Sequence, residues 1–436
     1  MPSSILGRDT ITVPIGGDAD RPTFPNDGAI RFNTDSGMLE VYDGSEWSIK
    51  ADRVTSFKNS NTALGKRTFE SLGGGNFNTA SGERSLRDNT TGDDNVANGV
   101  YALQYNTTGS RNTAIGTTAI TTATVASDMT AVGYDALRNA KKSGTKTPNK
   151  CTAIGANSLY NVNGAFNTAV GFNALRDTTT AFSNTAVGHN AGATLSANGN
   201  TGSGGYNVAI GTRALGTNTR KSSDQKNNVA IGYTSLRYND GIGNTVIGYS
   251  SGGGSTTANH NVAIGQNSTF GNSTRCTIIG SDVSIPGDST NVIVIGANAS
   301  NGAAGDHTVT LGDGNIGNLR CADDTISSFS DRRDKEDIID LNYGLNFIND
   351  LRPVSFSWNH RDGIKQGVVD FGFIAQELDE VQIKHGTEDY TRLVNHNNPD
   401  RLEADPMKTY PIMVKAIQEL SAEVENLKSQ LANKEN

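Results

Sequence analysis

Cysteine is scarce in this chain: Cys151, Cys276 and Cys321 are the three in 436 residues. An odd, widely spaced set supplies neither a disulfide framework nor a zinc site, so these residues are expected as small buried apolar side chains. Long apolar runs are missing too. No stretch approaches the roughly 18 apolar residues of a membrane span, and no membrane insertion is expected. The opening Met-Pro-Ser-Ser-Ile-Leu-Gly-Arg-Asp has no basic segment leading into an apolar one, which predicts synthesis and folding in a cytosol without Sec export. Positive charge is in deficit, with 37 Lys and Arg against 45 Asp and Glu. The net charge of −8 disfavours nucleic acid or an anionic membrane surface as the main partner. Only 35% of residues are hydrophobic while 50 are glycine, a balance that would suit disorder if the glycines were not periodic.

They are periodic. Asn207-Val-Ala-Ile-Gly-Thr-Arg-Ala-Leu215 has close copies starting at Asn112, Asn167 and Asn228, and fifteen glycines from Gly65 to Gly312 mark a repeat whose steps are mostly 16 or 17 residues. The residue before each glycine is apolar except at Ser81 and Asn98. The residue before that is mostly Ala, and four after the glycine comes Phe69, Leu86, Leu103 or an equivalent. Alternation with β-branched residues makes the core of the repeat a strand. Glycine then allows a sharp turn, and a second short strand is expected to carry the Ala-Leu pair. Such coils stack as a flattened β-roll, at ~4.8 Å per coil a rod about 70 Å long. The Ile column is expected to form the interior and the Ala column to face neighbouring chains. Insertions at 138–150, 193–206 and 216–227 are expected outside the roll.

The Asn-x-Ala-Ile-Gly core resembles the head repeats of trimeric autotransporter adhesins, which stack as a left-handed β-roll in a threefold bundle. Those repeats are usually shorter. The array itself offers no chemistry. Gly202-Ser-Gly-Gly205 lacks the Lys and helix of a phosphate loop. The columns hold Asn and Thr where calcium-binding rolls need Asp, and His189, His260 and His307 sit at different phases. No paired carboxylates share a phase, which speaks against a glycan-cleaving site in the shaft. No metal and no cofactor is expected. Outward side chains show no aromatic or charged stripe.

Residues 1–50 read differently. Ile30–Asn33 and Leu39–Tyr42 alternate, with turns at Asp35-Ser-Gly37 and Asp43-Gly44 before Trp47, as in a small β meander. Arg21 to Trp47 loosely resembles a short module near the ends of phage structural proteins, and so reads either as a cap on the first coil or as an attachment module. Beyond 315, composition shifts. Residues 331–342 are charge-dense, then a short helix is expected over Tyr343–Leu351, a strand over Val354–Trp358, extended chain over Gly367–Phe371, a helix over Ile374–Val381, and a long helix from Met407. Met413, Ile417, Leu420, Val424, Leu427 and Leu431, spaced 4, 3, 4, 3, 4, form a coiled-coil seam for a parallel oligomer.

Ser330-Asp-Arg-Arg-Asp-Lys335, Leu351-Arg-Pro-Val-Ser-Phe-Ser-Trp358, Gly372-Phe-Ile-Ala-Gln-Glu377 and the terminal heptads together resemble the intramolecular chaperone of phage endosialidases, tail spikes and tail fibres. The resemblance implies a domain that trimerises, templates the fibre before it and then cuts itself off between Phe329 and Ser330. By motif position Ser330 is the nucleophile and Lys335 its base. Ser needs a base, and a Lys serves when desolvation or neighbouring cations favour its neutral form. Arg332 and Arg333 can supply that repulsion or instead pair with Asp331 and Asp334. A spacing of five is awkward on one helix, so Ser330 must precede any helix in extended chain, or the Lys must come from a neighbouring chain. The competing reading makes Ser330 a helix cap.

The sequence therefore predicts a mainly β fold: a β-roll or β-solenoid shaft in a homotrimer, followed by a small α+β chaperone domain ending in a coiled-coil helix. The expected divisions are 1–50, the shaft over 51–315, a linker over 316–329 and the chaperone over 330–436. The expected function is a bacteriophage tail fibre that adsorbs to a host surface glycan or protein. It is carried in the virion through tail or baseplate proteins held by its N-terminus, and is made in the host cytoplasm. Its only catalysis would be Ser-Lys self-cleavage. A glycan-degrading tail spike with the same chaperone is the alternative.

Overall fold

The computed structural model describes residues 13–435 except 24, 27, 36–37, 43, 49–54, 58–59, 141–147, 180, 196–204, 217–225, 240, 255–256, 286, 301–304, 314–315, 317–318, 321–328, 360–365, 397–399 and 401. Cys321, most of each insertion and the tip of the Asp35 turn lie outside the described residues. The chain divides into two compact units, Met1–Ser273 and Thr274–Asn436.

The first unit opens with the meander. Ile30–Asn33, Met38–Tyr42 and Trp47–Ser48 pair antiparallel, and Ile15–Gly16, not foreseen, adds a parallel edge strand. Arg31 and Glu40 lie buried side by side, and Arg31 donates to the Gly17 carbonyl at 2.7 Å.

Twelve parallel strands follow, from Asn61–Leu64 to Val262–Ile264, with Thr55–Phe57 antiparallel before the first. Register is strict: Ala114 lies beside Ala131, Ala131 beside Ala153, and Ala153 beside Ala169. A slip of one residue would turn every side chain to the wrong face, so the Ala column pins the ladder. The long steps leave it unbroken, since Thr130 pairs with Thr152 and Thr185 with Val208.

The assignment of faces is the reverse of the expectation. Ala97, Ala114, Ala131 and Ala153 are wholly buried, whereas Ile115 is 41% exposed and Ile264 39%. The Ala column lines the interior; the Ile column lies outside. The reason is width. Leu86, Leu103, Leu137 and Leu175 enter from the opposite wall and are fully buried, leaving room for only a methyl group on the facing strands, whereas Val246 fits inside where Gly252 takes the Leu position. The expected second strand is also absent from most coils. Its Ala-Leu segment runs through turns, and Leu86, Leu103 and Leu137 adopt φ near +50°. Hydrogen bonds still tie coil to coil there, as from Leu103 N–H to the Ala119 carbonyl at 3.0 Å. A short pairing of Asn161–Val162 with Asp177–Thr178 and a single parallel bridge between Ser284 and Ser300 are exceptions.

At the strand entrance a column of buried asparagines replaces apolar packing. Asn95 Oδ1 accepts from both the backbone N–H and the side-chain amide of Asn112 at 3.0 Å, while Asn95 Nδ2 donates to Asn78 Oδ1 at 3.0 Å and to the Gly109 carbonyl at 2.9 Å. Met129 and Cys151 interrupt this ladder, and Cys151 and Cys276 are buried as expected. Each glycine turn is forced by approach: at Gly99, with φ +142°, a Cβ would lie 2.4 Å from the Gly116 carbonyl oxygen.

In the second unit Thr277–Ile279, Ile293–Ile295 and Val309–Leu311 pair in the same parallel register. Beyond them, among the described residues, lie the helices α1 (Leu345–Asp350), α2 (Ala375–Lys384), α3 (Glu388–Thr391) and α4 (Thr409–Glu435). Between α1 and α2, strands Val354–Asn359 and Gln366–Gly372 form an antiparallel hairpin. Phe347, Leu378, Val381, Leu393, Val394 and Ile412 make the core. Only the start of α4 joins it, through Ile412 and Ala416. Ile417, Leu420, Val424, Leu427 and Leu431 are exposed along the rest of the helix.

Candidate functional site

The charge-dense run after residue 330 folds tightly on itself. Asp331 is extended (φ −66°, ψ 138°) and caps a single 3-10 turn, Arg332–Asp334, by accepting from Arg333 N–H at 2.8 Å. Lys335 is extended again (φ −130°, ψ 136°). Because only three residues are coiled, the chain doubles back instead of carrying Ser330 and Lys335 to different sides of a longer helix. Lys335 Nζ donates to Ser330 Oγ at 2.6 Å and to the Ser330 carbonyl at 3.3 Å. The cap of the turn is Asp331, so Ser330 is left outside it.

Arg333 pairs with Asp331 at 2.6 Å, and that guanidinium holds the Asp331 carboxyl below the usual carboxylate range. This cation is therefore neutralised by its neighbour, while Arg332 stands exposed on the same turn. Phe329, on the other side of the Phe329–Ser330 peptide bond, is fully exposed. The whole cluster is open to solvent.

The downstream motifs meet one another. Arg352 of the Leu-Arg-Pro segment forms a fork on Glu377 of the Ala-Gln-Glu segment, with Nε to Oε2 at 2.9 Å and Nη2 to Oε1. The guanidinium holds the Glu377 carboxyl below the usual carboxylate range. Trp358 Nε1 donates to Asp370 across the hairpin at 3.0 Å. Asp350, at the end of α1, takes Lys384 of α2 and His385 just past its end, each at 2.7 Å, and both hold its carboxyl low, Lys384 more strongly. Glu419 of α4 accepts from Leu345 N–H at 2.8 Å, capping α1. The sequence motifs supplied these residues without their partners, since pairing over 25 or 74 positions leaves no periodic trace.

Among the described residues no group of three or more His, Cys, Asp or Glu could hold a metal ion. One expectation for the shaft is corrected. The residue after the glycine is Tyr134, Phe172, His189, Tyr233 or Tyr249 in five coils, and Tyr233 and Tyr249 stack with centres 5.2 Å apart. Extending the column reading one position past the glycine would have found this file.

Residues 330–387 match a family described as the chaperone of endosialidase. The match begins at Ser330 and takes in the turn, the hairpin and α2. No curated protein and no solved structure matches the chain.

Proposed function

We propose that the chain is a trimeric bacteriophage tail fibre whose C-terminal domain directs assembly and then releases itself. The contact of Lys335 Nζ with Ser330 Oγ at 2.6 Å, at the first residue of the chaperone match, carries the reading. In the proposed reaction the neutral Lys335 amine takes the hydroxyl proton and Ser330 Oγ attacks the Phe329 carbonyl carbon. The tetrahedral adduct expels the Ser330 nitrogen, which takes the proton back from Lys335. An ester then joins Phe329 to Ser330 Oγ. Water hydrolyses it, leaving a carboxylate on Phe329 and a free amino group on Ser330. Both side chains are exposed in the single chain. A neighbouring chain that covered them would exclude water and favour the neutral amine, so cleavage would follow assembly.

The exposed Ile column and the exposed α4 seam both support self-association. Covering each outward Ile contributes roughly 1 kcal/mol, repeated along the ladder. The trimer would be carried in the virion, held through its N-terminal module by tail or baseplate proteins, and would bind a host surface glycan or protein.

A denaturing gel tests the processing. Wild type is expected to yield fragments 1–329 and 330–436, and Ser330→Ala the intact chain; wild type that stays intact throughout assembly would refute self-cleavage.

A further inference from the structure

The file of residues after the glycines is held in place by the backbone. The Tyr134 carbonyl accepts from Asn157 N–H at 2.9 Å, Ala156 from Asn173 at 3.1 Å, and Phe172 from Asn190 at 2.9 Å. His189 accepts from Arg213 at 2.9 Å, Thr212 from Thr234 at 3.0 Å, and Tyr233 from Ser250 at 2.8 Å. Each residue therefore stands one rung, ~4.8 Å, beyond the last.

Phe172 and His189 lie within 11° of parallel with centres 5.6 Å apart, and Tyr233 and Tyr249 within 15° at 5.2 Å. Parallel rings this close cannot lie side by side in one plane, so they stack along the file. From Tyr134 to Tyr249 the order is ring, Ala, ring, ring, Thr, ring, ring. The rings are open to water: Tyr134 is 57% exposed, Phe172 48% and Tyr249 54%.

Over Ala156, and again over Thr212, a ring flanks each side at a separation of two rungs, ~9.6 Å. A six-membered ring set midway would sit ~4.8 Å from both, inside the stacking range. The next residue along each coil offers a hydrogen-bonding group: Asn157 and Asn173 beside the first slot, Arg213 and Thr234 beside the second. The slots are three rungs, ~14 Å, apart.

We infer that this file is a saccharide-binding track in which each slot takes one pyranose ring. A pyranose has apolar C–H faces for the flanking rings and a hydroxyl rim for the Asn, Arg and Thr side chains. Two slots at fixed spacing suit a repeating polymer better than a single sugar. The inference rests on the host-binding reading and gives it a place and a ligand class.

The test uses full-length protein on an array of bacterial capsular polysaccharides, O-chains and teichoic acids, beside adsorption to the bacteria that supplied them. Ala156→Tyr with Thr212→Tyr fills both slots and lengthens the stack; Phe172→Ala with Tyr233→Ala removes one wall of each. Wild type is expected to bind at least one polysaccharide, and both variants to lose tenfold or more in affinity with oligomeric mass and circular dichroism unchanged. Undiminished binding by the slot-filled variant overturns the track. Loss of oligomeric mass in either variant also overturns it, because the rings would then be chain-to-chain contacts. Adsorption to cells without binding any polysaccharide overturns the track and leaves host binding standing, whereas no adsorption at all removes both.

Discussion

At the residue scale the shaft depends on small polar details inside a thin wall. Asn95 satisfies two groups of Asn112 and uses its own amide on Asn78 and Gly109, all out of reach of water. Asn95→Ala orphans several of these groups, and each buried orphan costs about 1–3 kcal/mol. Chemical denaturation is expected to show a loss of about 3 kcal/mol, diluted if neighbouring coils unfold separately. Met129 and Cys151 show that two consecutive rungs do without the amide when an apolar side chain fills the space. Burial pushes the Cys151 thiol up to about 11. Native protein at pH 8 is therefore expected to leave Cys151 unmodified by maleimide, with labelling only on unfolding, as read by peptide mass.

Among the elements, α1, α2 and α4 are joined by charge as much as by packing. Asp350 bridges α1 to α2 through Lys384 and His385. Its folded pKa is depressed, so its contribution is present above the unfolded carboxylate value, near 3.9, and is lost as pH falls through the lower folded value. Thermal melts between pH 5 and 2 are expected to show this loss in wild type and a flatter profile in Asp350→Asn. Glu419 caps α1 from 74 residues away, so Glu419→Ala is expected to lower stability by about 1 kcal/mol, measured in the same melts. On α4, five apolar residues from Ile417 onward face water in the single chain. Val424→Asp with Leu427→Asp is expected to abolish the oligomer by light scattering while the core around Phe347 and Ile412 survives by near-ultraviolet circular dichroism.

For the whole molecule the order of events matters most. Parallel ladders built from three-residue strands are slow to nucleate and vulnerable to register slips before neighbours are in place. Under the proposed function, a C-terminal domain that fixed chain number and register would turn assembly into local zipping. Its later removal would leave the product trapped behind a barrier to unfolding. Expression of residues 1–329 alone is expected to give mostly insoluble protein by centrifugation, against soluble product from the full chain.

The sequence by itself determined the repeat, its register and the sites of its turns, because the Gly column recurs in every coil and the Ala and Leu columns in most. It also placed Ser330 and Lys335 close along the chain, put helices at α1, α2 and α4, and marked both strands of the hairpin as extended without pairing them. It could not say which apolar column faces inward. Alternation puts Ala and Ile on opposite faces of a strand, but only the closed coil, with Leu filling from the far wall, decides that Ala is the one with room. Nor could it join Arg352 to Glu377 or Leu345 to Glu419, since those contacts exist only when distant segments pack. The aromatic file was legible as a column one position past the glycine, but that its rings stack, as Tyr233 does on Tyr249, is decided only by the ladder.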